Sequence, residues 1–545
     1  MAASRPEAVA VVEPLGCAGG KRRYRQMTFR ELDQDSDRIA RGLRELGVPP
    51  GSRLVMLIRP GIDFVSVVFG LFKAGLVAVL IDPGMGARRA MRCLAEAEPD
   101  GFLAIPIVQA ARLLSPGRFP KVRFNITAGR RWFWGGMTLD RLRGGPWSGS
   151  EMAATSADAP AAIIFTTGST GPAKGVLFTH GNFDAQAQQI GDFYGIQPGE
   201  IDLPGFPFFG LFNCAMGVTA VIPDMDPSRP AQVDPVKIVE AIGDWNVTQA
   251  FGSPAIWDRV GRYCQSQEIR LPTVHRVLSA GAPVPIEVLE RMKGCIAAEG
   301  DIHTPYGATE ALPVASIAAS EVLSETAGKT RAGAGVCVGR RFADIRWKVV
   351  RIVDGPIPSL DACEVLPAGE IGELIVQGPQ VTRQYVTGGE ANRTAKIRDG
   401  VGFWHRMGDS GYLDGRERFW FCGRVAHRVV TSGGTMYPIC CEAIFNQHGE
   451  VQRSALVGVG AAGRQRPVMV IEPCHRQVLR DRTAGRRLLA ELGELGTANA
   501  LTAGIADFLL HPGLPVDIRH NVKISRERLA VWAARRLQPR RGASR

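Results

Sequence analysis

The chain has 545 residues, of which 45% are hydrophobic and 22% are charged, and its formal net charge is +12. This length leaves room for two or three cores, and a mean hydropathy near zero argues against a membrane protein. The basic excess is spread out and no nucleic-acid motif accompanies it, so no nucleic-acid partner is expected. No apolar run reaches the ~18 residues of a spanning helix, and no secretory signal is present. We therefore expect a cytoplasmic protein without a transmembrane segment.

The eleven cysteines are scattered along the chain, with no CxxC pair and no Cys/His spacing suited to zinc. We expect them to be reduced and mostly buried. Cys440 and Cys441 are adjacent. Interpreted as neighbours in a strand, their thiols point to opposite faces and belong to the core.

The first elements alternate between helix and strand patterns. "TFRELDQDSDRIARGLRELGV" has apolar residues at helical spacing, and Thr28 with Glu31 forms a capping box. "RLVMLI" and "LVAVLID" indicate buried strands on either side of the helix "DFVSVVFGLFKAG". Similar alternation recurs through "KIVEAIGDWNVTQAFGSPAIWDRV" and "RVLSAGAPVPIEVLERM". The pattern predicts parallel sheets covered by helices.

The pattern changes after about residue 340, where "ADIRWKVVRIV", "GEIGELIVQG" and "RFWFCGR" indicate strands joined by turns. A final region with its own strand and helix signals follows "FCGRVAHRVVTSGG" and ends in "RERLAVWAARRL". We place a domain boundary near Gly423 to His427. The basic tail "ARRLQPRRGASR" is interpreted as a solvated terminus, with docking to an acidic partner as the alternative.

A loop rich in glycine and hydroxyl residues follows a strand pattern in "IIFTTGSTGPAKGV", residues 163–176. Such a loop can direct backbone N–H groups at an anion, so it predicts a phosphate site, although a surface turn is the alternative. It is not a Walker loop, because Ala173 precedes Lys174 and Gly175 follows it.

Four further motifs follow in order: "TPYGATEALP" with Thr309 and Glu310, "FWHRMGDSGYLD" with Asp409, "CGRVAHRVV" with Arg424, and "RHNVKISRERLA" with Lys523. Together with the loop, they resemble the adenylate-forming superfamily of acyl-CoA synthetases, luciferases and adenylation domains, from about residue 25 to residue 535. The resemblance implies an α/β fold. It comprises a large N-terminal adenylation domain with a β-rich subdomain (residues 1–422), a hinge (423–428), and a small mobile α+β C-terminal domain (429–545).

The resemblance also implies the chemistry. A carboxylate attacks the α-phosphate of ATP, giving an acyl-adenylate and pyrophosphate, so donors, cations and Mg²⁺ are needed around the triphosphate. The loop residues implied to cover the β- and γ-phosphates are Thr166, Thr167, Gly168, Ser169, Thr170, Gly171 and Lys174. Those implied to bind the rest of the nucleotide are Gly281, Ala282, Tyr306, Gly307, Thr309, Asp409 and Arg424.

The resemblance also implies individual roles for three residues. Glu310 matches the magnesium ligand, where a surface glutamate is the alternative. Asp409 matches the acceptor of both ribose hydroxyls, where a turn is the alternative. Lys523 matches the catalytic lysine that brings a point charge to the reacting oxygens, where a solvated lysine at a helix start is the alternative. A catalytic group on a small separate domain also implies domain closure.

An aromatic run, "FPFFGLFNCAMG", stands where many acyl-CoA synthetases have Pro-x-Phe-His, and Gly210 takes the place of the histidine. We interpret it as the wall of an acyl pocket, with core packing as the alternative. The predicted pocket residues are Phe206, Phe208, Phe209, Leu211 and Phe212.

The hinge also departs from the superfamily. Ala426 stands where Asp or Lys is usual, whereas Gly433 matches the glycine that lets pantetheine approach. With "LIDPGMG", "RRWFWGG" and "HPGLPVDIRHNVKISRERLAVWA", these features resemble the olefin-pathway β-lactone synthetases. That family adenylates a long-chain 2-alkyl-3-hydroxy fatty acid, whose own 3-hydroxyl displaces AMP. His303, His405 and His427 are candidate bases for this hydroxyl, although a structural histidine is the alternative for each.

Two other functions stay open. A fatty-acyl-CoA or acyl-carrier ligase shares every adenylation residue, and a non-catalytic adenylate-binding protein is the alternative from another class. If β-lactone formation is correct, the resemblance implies partners: a thiolase-like enzyme and a reductase upstream, and a lactone decarboxylase downstream. Acyl chain length, stereochemistry and oligomeric state do not follow from the sequence.

Overall fold

The computed structural model describes residues 1–115, 117–144, 152–165, 173–387, 389–516 and 524–538. Its strands are, in chain order, β1 Val9–Ala18, β2 Lys21–Thr28, β3 Arg53–Leu57, β4 Val77–Leu80, β5 Gly101–Ala104, β6 Phe124–Thr127, β7 Met137–Thr138, β8 Pro160–Phe165, β9 Gly175–Thr179, β10 Ile201–Pro204, β11 Thr219–Val221, β12 Gln249–Gly252, β13 Arg276–Ser279, β14 Asp301–His303, β15 Tyr306–Ala308, β16 Ala311–Ser316, β17 Val336–Cys337, β18 Arg340–Arg341, β19 Arg346–Val350, β20 Gly372–Gln377, β21 Gln384–Tyr385, β22 Lys396–Asp399, β23 Gly402–Leu413, β24 Phe419–Arg424, β25 Val429–Thr431, β26 Gly434–Met436, β27 Val451–Val459, β28 Arg466–Pro473 and β29 Asp507–Leu510.

The helices connect these strands. They are, in chain order, α1 Phe29–Glu45, α2 Ile62–Lys73, α3 Ala87–Glu96, α4 Pro106–Leu113, α5 Leu139–Leu142, α6 His180–Tyr194, α7 Phe209–Met216, α8 Pro235–Trp245, α9 Pro254–Ser266, α10 Ile286–Lys293, α11 Ala319–Glu321, α12 Ala327–Arg331, α13 Gly389–Ala395, α14 Pro438–Phe445, α15 Arg482–Thr497 and α16 Arg526–Leu537. None of the helices in the described part of the chain has the length and apolarity needed to cross a bilayer.

Two largely parallel sheets form the first part of the chain. One has the order β21-β9-β8-β4-β3-β5-β6-β7, and the other β14-β13-β12-β10-β11-β1-β2. The predicted βαβ unit is confirmed, because β3 and β4 pair in parallel across α2. The predicted capping box is confirmed as well, since the Thr28 and Glu31 side chains each bond the other's backbone N–H.

A β-rich layer follows, as predicted. Its antiparallel order is β17-β24-β23-β20-β19, with β22 paired to β23. After residue 428 the chain forms the three-stranded sheet β27-β28-β29 and the helices α14 to α16. Each hydrophobic cluster in the described residues lies wholly before residue 423 or wholly after residue 428.

Several polar contacts bridge the short segment 423–428 to its two sides. Arg428 makes a two-pronged ion pair with Asp354 at 2.7 and 2.8 Å. His427 Nε2 lies 3.1 Å from Glu527 Oε1 in α16. The segment is therefore tied by polar groups both to the β-rich layer and to the C-terminal part.

The interpretation of Cys440 and Cys441 as strand residues is wrong, because both lie in α14. Their predicted place in the core is confirmed, since both are buried. "PICCEAIF" is apolar almost throughout, so periodicity alone does not separate helix from strand, whereas Pro438 at the first helical position favours a helix. All eleven cysteines are free, and most are buried as expected.

Arg418, in the loop between β23 and β24, holds a cluster of three acidic groups. Its side chain is 2% exposed, and its guanidinium pairs with Glu321 at 2.9 Å, Glu325 at 2.9 Å and Asp414 at 2.8 Å. We expect Arg418→Met to destabilise the fold by about 2–3 kcal/mol, below the usual cost of breaking a buried pair because the two glutamates reach water. The melting temperature measures this loss.

Arg416→Met is the matched control. Arg416 pairs with the same Glu325 at 2.9 Å, but its side chain is 63% exposed. Exposed pairs contribute little, so a change within about 0.5 kcal/mol is expected. Equal losses for the two variants would contradict the assignment of the stabilising role to Arg418.

Candidate active site

A cleft of about 210 Å³ is lined by residues of β13, β15, β17, β23 and β24 and by the loops that follow β13 and β14. Its walls come from segments far apart in the chain. The cleft brings together six of the predicted nucleotide residues: Gly281, Ala282, Tyr306, Gly307, Asp409 and Arg424. A Cβ at Gly307 would lie 2.6 Å from the Ala311 carbonyl oxygen, so this wall requires glycine.

Asp409 is the buried polar centre of this cleft. It lies in β23 directly opposite Arg424 in β24, and Arg424 Nη1 is 2.7 Å from Asp409 Oδ1. The Tyr306 hydroxyl donates a hydrogen bond to the other carboxylate oxygen. Each oxygen keeps a lone pair for a further donor, so the carboxylate is fixed in place and can still accept two ligand hydroxyls.

Electrostatics support this arrangement. The pKa of Tyr306 is raised well above its usual value, first by burial and then by the charge of Asp409. The pKa of Arg424 is raised as well, with the charge of Asp409 as its largest cause. Tyr306 is therefore a permanent donor and Arg424 a permanent cation at neutral pH.

Glu310 forms a second polar group nearby, in the turn between β15 and β16, with the half-buried Thr309 before it. The Tyr385 hydroxyl donates to Glu310 Oε1 at 2.8 Å. Lys174 Nζ lies 4.9 Å from the centre of the Tyr385 ring, and Lys396 Nζ lies 6.0 Å from it. One carboxylate therefore lies in a cluster with two lysines and an aromatic ring.

Tyr385 and Lys396 were not predicted from the sequence. Lys396 donates to the Thr382 carbonyl, and burial lowers its pKa to about 7 against the opposing charge of Glu310. No motif marks either residue. Lys396 begins β22, whose sequence Lys-Ile-Arg-Asp is mostly charged and gives no sign that this lysine is buried.

The described side chains near Glu310 suit a magnesium ion that is completed by other ligands, and they do not form a metal site built from protein ligands alone. Among the residues that the structure describes, no group of three or more His, Cys, Asp or Glu side chains could hold a metal. Magnesium typically binds one or two carboxylates and completes its shell with phosphate oxygens and water. A magnesium ion held by Glu310 would therefore need phosphate oxygens and water to complete its shell.

Seven predicted residues lie outside the described residues. Lys523 belongs to the segment between Val516 and Ile524, which pair as an antiparallel bridge. Phe165 ends β8 directly before the predicted phosphate loop. The loop residues concerned are Thr166, Thr167, Gly168, Ser169, Thr170 and Gly171.

The aromatic run divides between two packing environments. Phe209 is buried and stacks on Phe251 with ring centres 4.2 Å apart. Phe208 packs edge-to-face on Phe64 and contacts Phe206. Leu211 and Phe212 are partly buried against separate clusters. Phe209 is thus a core residue, and the acyl pocket stays a prediction for the set.

The three candidate histidines are all shifted towards the neutral form by burial, which is the largest cause for each lowered pKa. His405 is buried in β23, with Nδ1 3.2 Å from the Ala395 carbonyl oxygen. His303 packs edge-to-face on Tyr194. None of the three is among the residues that line the cleft in the described part of the chain.

The fold is that of adenylate-forming enzymes, as predicted. o-Succinylbenzoate coenzyme A synthetase from Bacillus subtilis, solved with ATP and a magnesium ion, superposes with a TM-score of 0.74 at 21% identity, covering 97% of this chain and 98% of that chain. The chain belongs to the AMP-binding enzyme family, whose model matches residues 1–386.

Two relatives are similar over nearly the whole chain. One is the olefin β-lactone synthetase of Xanthomonas campestris pv. campestris, 45% identical over 98% of this chain and 96% of that protein. The other is the olefin β-lactone synthetase of Stenotrophomonas maltophilia, 44% identical over 99% of this chain and 98% of that protein. The predicted membership of the superfamily is confirmed.

Proposed function

We propose that this enzyme adenylates a long-chain 2-alkyl-3-hydroxy fatty acid with ATP and closes the product to a β-lactone, releasing pyrophosphate and AMP. The names of the two relatives support the substrate class and the product. The observation that carries the nucleotide part is the Tyr306–Asp409–Arg424 cluster, which presents one fixed carboxylate in a cleft of nucleotide-wall residues.

Nucleotide binding follows from this cluster. Asp409 accepts the two ribose hydroxyls, Tyr306 and Gly307 contact the adenine, and Gly281 with Ala282 forms the facing wall. Arg424 is charged at every working pH and contacts ribose or phosphate. Thr309 lies beside the α-phosphate, and Lys174 with residues 166–171 covers the β- and γ-phosphates.

Glu310 would hold the magnesium ion, with Tyr385 fixing the orientation of its carboxylate. The ion supplies charge neutralisation for the pyrophosphate leaving group. Lys523 places its ammonium beside the carboxylate and α-phosphate oxygens as charge develops there. We assign Lys523 to the small domain 429–545, which moves about the hinge 423–428 relative to residues 1–422.

Ring closure needs no second substrate. The 3-hydroxyl oxygen bonds to the acyl carbon, the bond from that carbon to the phosphate oxygen breaks, and AMP leaves while the hydroxyl proton passes to a base or to water. Tethering of the nucleophile gives an effective molarity of ~10⁵ M or more when the geometry is right. The mixed anhydride drives formation of the strained ring.

The direct test supplies purified protein with ATP, magnesium and a 2-alkyl-3-hydroxy acid, with and without coenzyme A, and identifies the products by mass spectrometry and NMR. A β-lactone and AMP formed without coenzyme A are the expected products. A thioester that forms only with coenzyme A would replace this proposal with thioester ligation.

The acyl-CoA ligase is the second candidate because one feature favours it. Gly433 lies in the exposed turn between β25 and β26, where the superfamily glycine admits pantetheine. Ala426 opposes this function, since the hinge lacks the usual charged residue. The non-catalytic alternative leaves the joint presence of Glu310, Asp409 and Lys523 without an explanation.

Tyr385→Phe tests the proposed role of Glu310. Loss of one hydrogen bond to the carboxylate is worth about 1 kcal/mol, so the magnesium concentration for half-maximal pyrophosphate release is expected to rise about fivefold. Tyr412→Phe is the control, because it removes a comparable 3.1 Å bond to the Ala334 carbonyl away from Glu310. If Tyr385→Phe left the magnesium requirement unchanged, Tyr385 would not position the Glu310 carboxylate.

We also propose a cytoplasmic location and assembly with enzymes of the same pathway: a thiolase-like enzyme, a reductase and a lactone decarboxylase. The basic tail after Gln538 offers charges for such contacts. Truncation after Gln538 followed by size-exclusion chromatography of the mixed enzymes tests the tail. Unchanged assembly would exclude its involvement.

A further inference from the structure

One stretch of the N-terminal part combines exposed apolar groups with a single sign of charge. Residues 101–139 contain no Asp or Glu, and their basic residues are Arg112, Arg118, Lys121, Arg123, Arg130 and Arg131. The same stretch exposes Trp132 (51%) and Phe133 (82%), together with Ile107, Leu113 and Leu114. Exposed large apolar side chains grouped in this way mark an interaction surface.

Topology places these groups on one side of the sheet. The connections β5–α4–β6 and β6–β7 advance in the same direction through parallel strands. Right-handed crossovers then lie on the same face, so α4 and the turn before β7 are neighbours there. Ile107 is the second residue of α4, which starts at the same end of the sheet where β6 leads into residues 128–136, the aromatic turn.

The aromatic turn is held rigidly. Trp134 is buried and donates from Nε1 to Thr127 Oγ1 at 2.9 Å. Gly136 has a φ of +100°, and a Cβ there would lie 2.3 Å from the Asn125 carbonyl oxygen. Since Trp134 bonds to β6 and Gly136 packs closely against it, the backbone that carries Trp132 and Phe133 loses little freedom on docking.

The arginines beside the two rings keep their charge available. Arg130 and Arg131 are exposed, and neither forms an ion pair with any Asp or Glu that the structure describes. Arg131 donates to the Gly136 carbonyl oxygen at 2.5 Å. Lys121, by contrast, is paired with Glu98 at 2.8 Å.

We propose that this aromatic-basic surface, formed by Arg130, Arg131, Trp132, Phe133 and Ile107, docks the enzyme onto an anionic lipid bilayer. Aromatic rings partition to the boundary between headgroups and acyl chains, and arginines bind lipid phosphates. All five of these residues are apolar or cationic, which fits this occupant. A protein partner typically also meets a polar rim of mixed character.

The aromatic-basic surface lies at the same edge of the sheet as the predicted phosphate loop. β8, β4, β3, β5 and β6 are parallel, so β6 and β8 end at the same edge of the sheet. Their ends are four strand spacings apart, or about 19 Å. The surface therefore brings the edge that carries the predicted phosphate loop towards the bilayer, where a long-chain acid is dissolved.

Vesicle co-sedimentation without ATP tests the docking independently of any chemistry. The full-length protein is mixed with vesicles of phosphatidylcholine, or of phosphatidylcholine with phosphatidylglycerol. Binding to the anionic vesicles that weakens with added salt is expected, because exposed charges are screened. Failure to bind anionic vesicles at low salt would overturn the proposal.

Paired variants assign the binding to this surface. Arg130→Ser with Arg131→Ser should weaken binding about twenty-five-fold, at about fivefold per arginine. Trp132→Ser with Phe133→Ser should weaken it at least tenfold. The apolar control is Leu15→Ser with Val531→Ser, at 54% and 55% exposure. The charge control is Arg476→Ser with Arg480→Ser, both exposed.

Both controls should bind anionic vesicles like the unaltered protein. If the controls lost vesicle binding to the same extent, the binding would depend on general surface charge and apolarity, and the assignment to this surface would be overturned. Because every substituted side chain is exposed, melting temperatures within a few degrees of each other are expected.

Discussion

Replacement of Asp409 by asparagine is expected to weaken AMP and ATP binding about a hundredfold. Asp409 is buried, and both of its oxygens are oriented by Arg424 and Tyr306. Each hydrogen bond from a ribose hydroxyl to an ionised carboxylate is worth roughly 1.5–3 kcal/mol, and the amide offers one acceptor oxygen in place of two. Isothermal titration with AMP measures the loss without any turnover.

The variant also breaks an ion pair, so a matched control is needed. Glu373 in β20 forms a buried pair with Arg406 at 2.6 Å within the same sheet, and it is not among the cleft residues in the described chain. Glu373→Gln should lower the melting temperature while leaving AMP affinity within about twofold. AMP binding by Asp409→Asn at the original affinity would contradict the ribose assignment.

Lys523→Ala is expected to reduce adenylation by about 10²–10³-fold and to leave ATP affinity almost unchanged. A charge that meets the reacting oxygens chiefly in the transition state contributes to the rate and little to ground-state binding. The measurement is pyrophosphate release at saturating ATP, paired with equilibrium ATP binding.

Arg528→Ala provides the control for this loss. Arg528 lies five residues further on, in α16, and its side chain is exposed, so its removal should leave pyrophosphate release nearly unchanged. Lys523→Ala with near-normal pyrophosphate release would assign the catalytic charge to another residue.

Local patterns predicted much of the fold. The Thr28–Glu31 capping box and the β3–α2–β4 unit depend on neighbours within a few residues, so spacing alone reveals them. Asp409 and Arg424 were predicted as separate motif residues. Their direct pairing across β23 and β24 depends on strand register, which a bulge between Ser410 and Gly411 alters.

Long-range contacts account for what the sequence did not predict. The Tyr385 hydroxyl bonds to Glu310, which lies 75 residues earlier in the chain, and the local sequence around either residue does not predict this bond. The aromatic run was predicted as one wall, yet packing separates Phe209 from Phe208, because three-dimensional neighbours such as Phe251 and Phe64 decide which ring is buried.

The ion pair between Arg428 and Asp354 has a consequence for the speed of the catalytic cycle. Asp354 is 84% exposed, and pairs of this kind contribute about 0–1 kcal/mol. In the proposed movement of the small domain about the hinge, a contact this weak would not hold the domain in one arrangement. We therefore expect ionic strength to shift the balance between the proposed domain arrangements. A turnover rate limited by that movement will then change with salt even when the affinity for ATP stays constant.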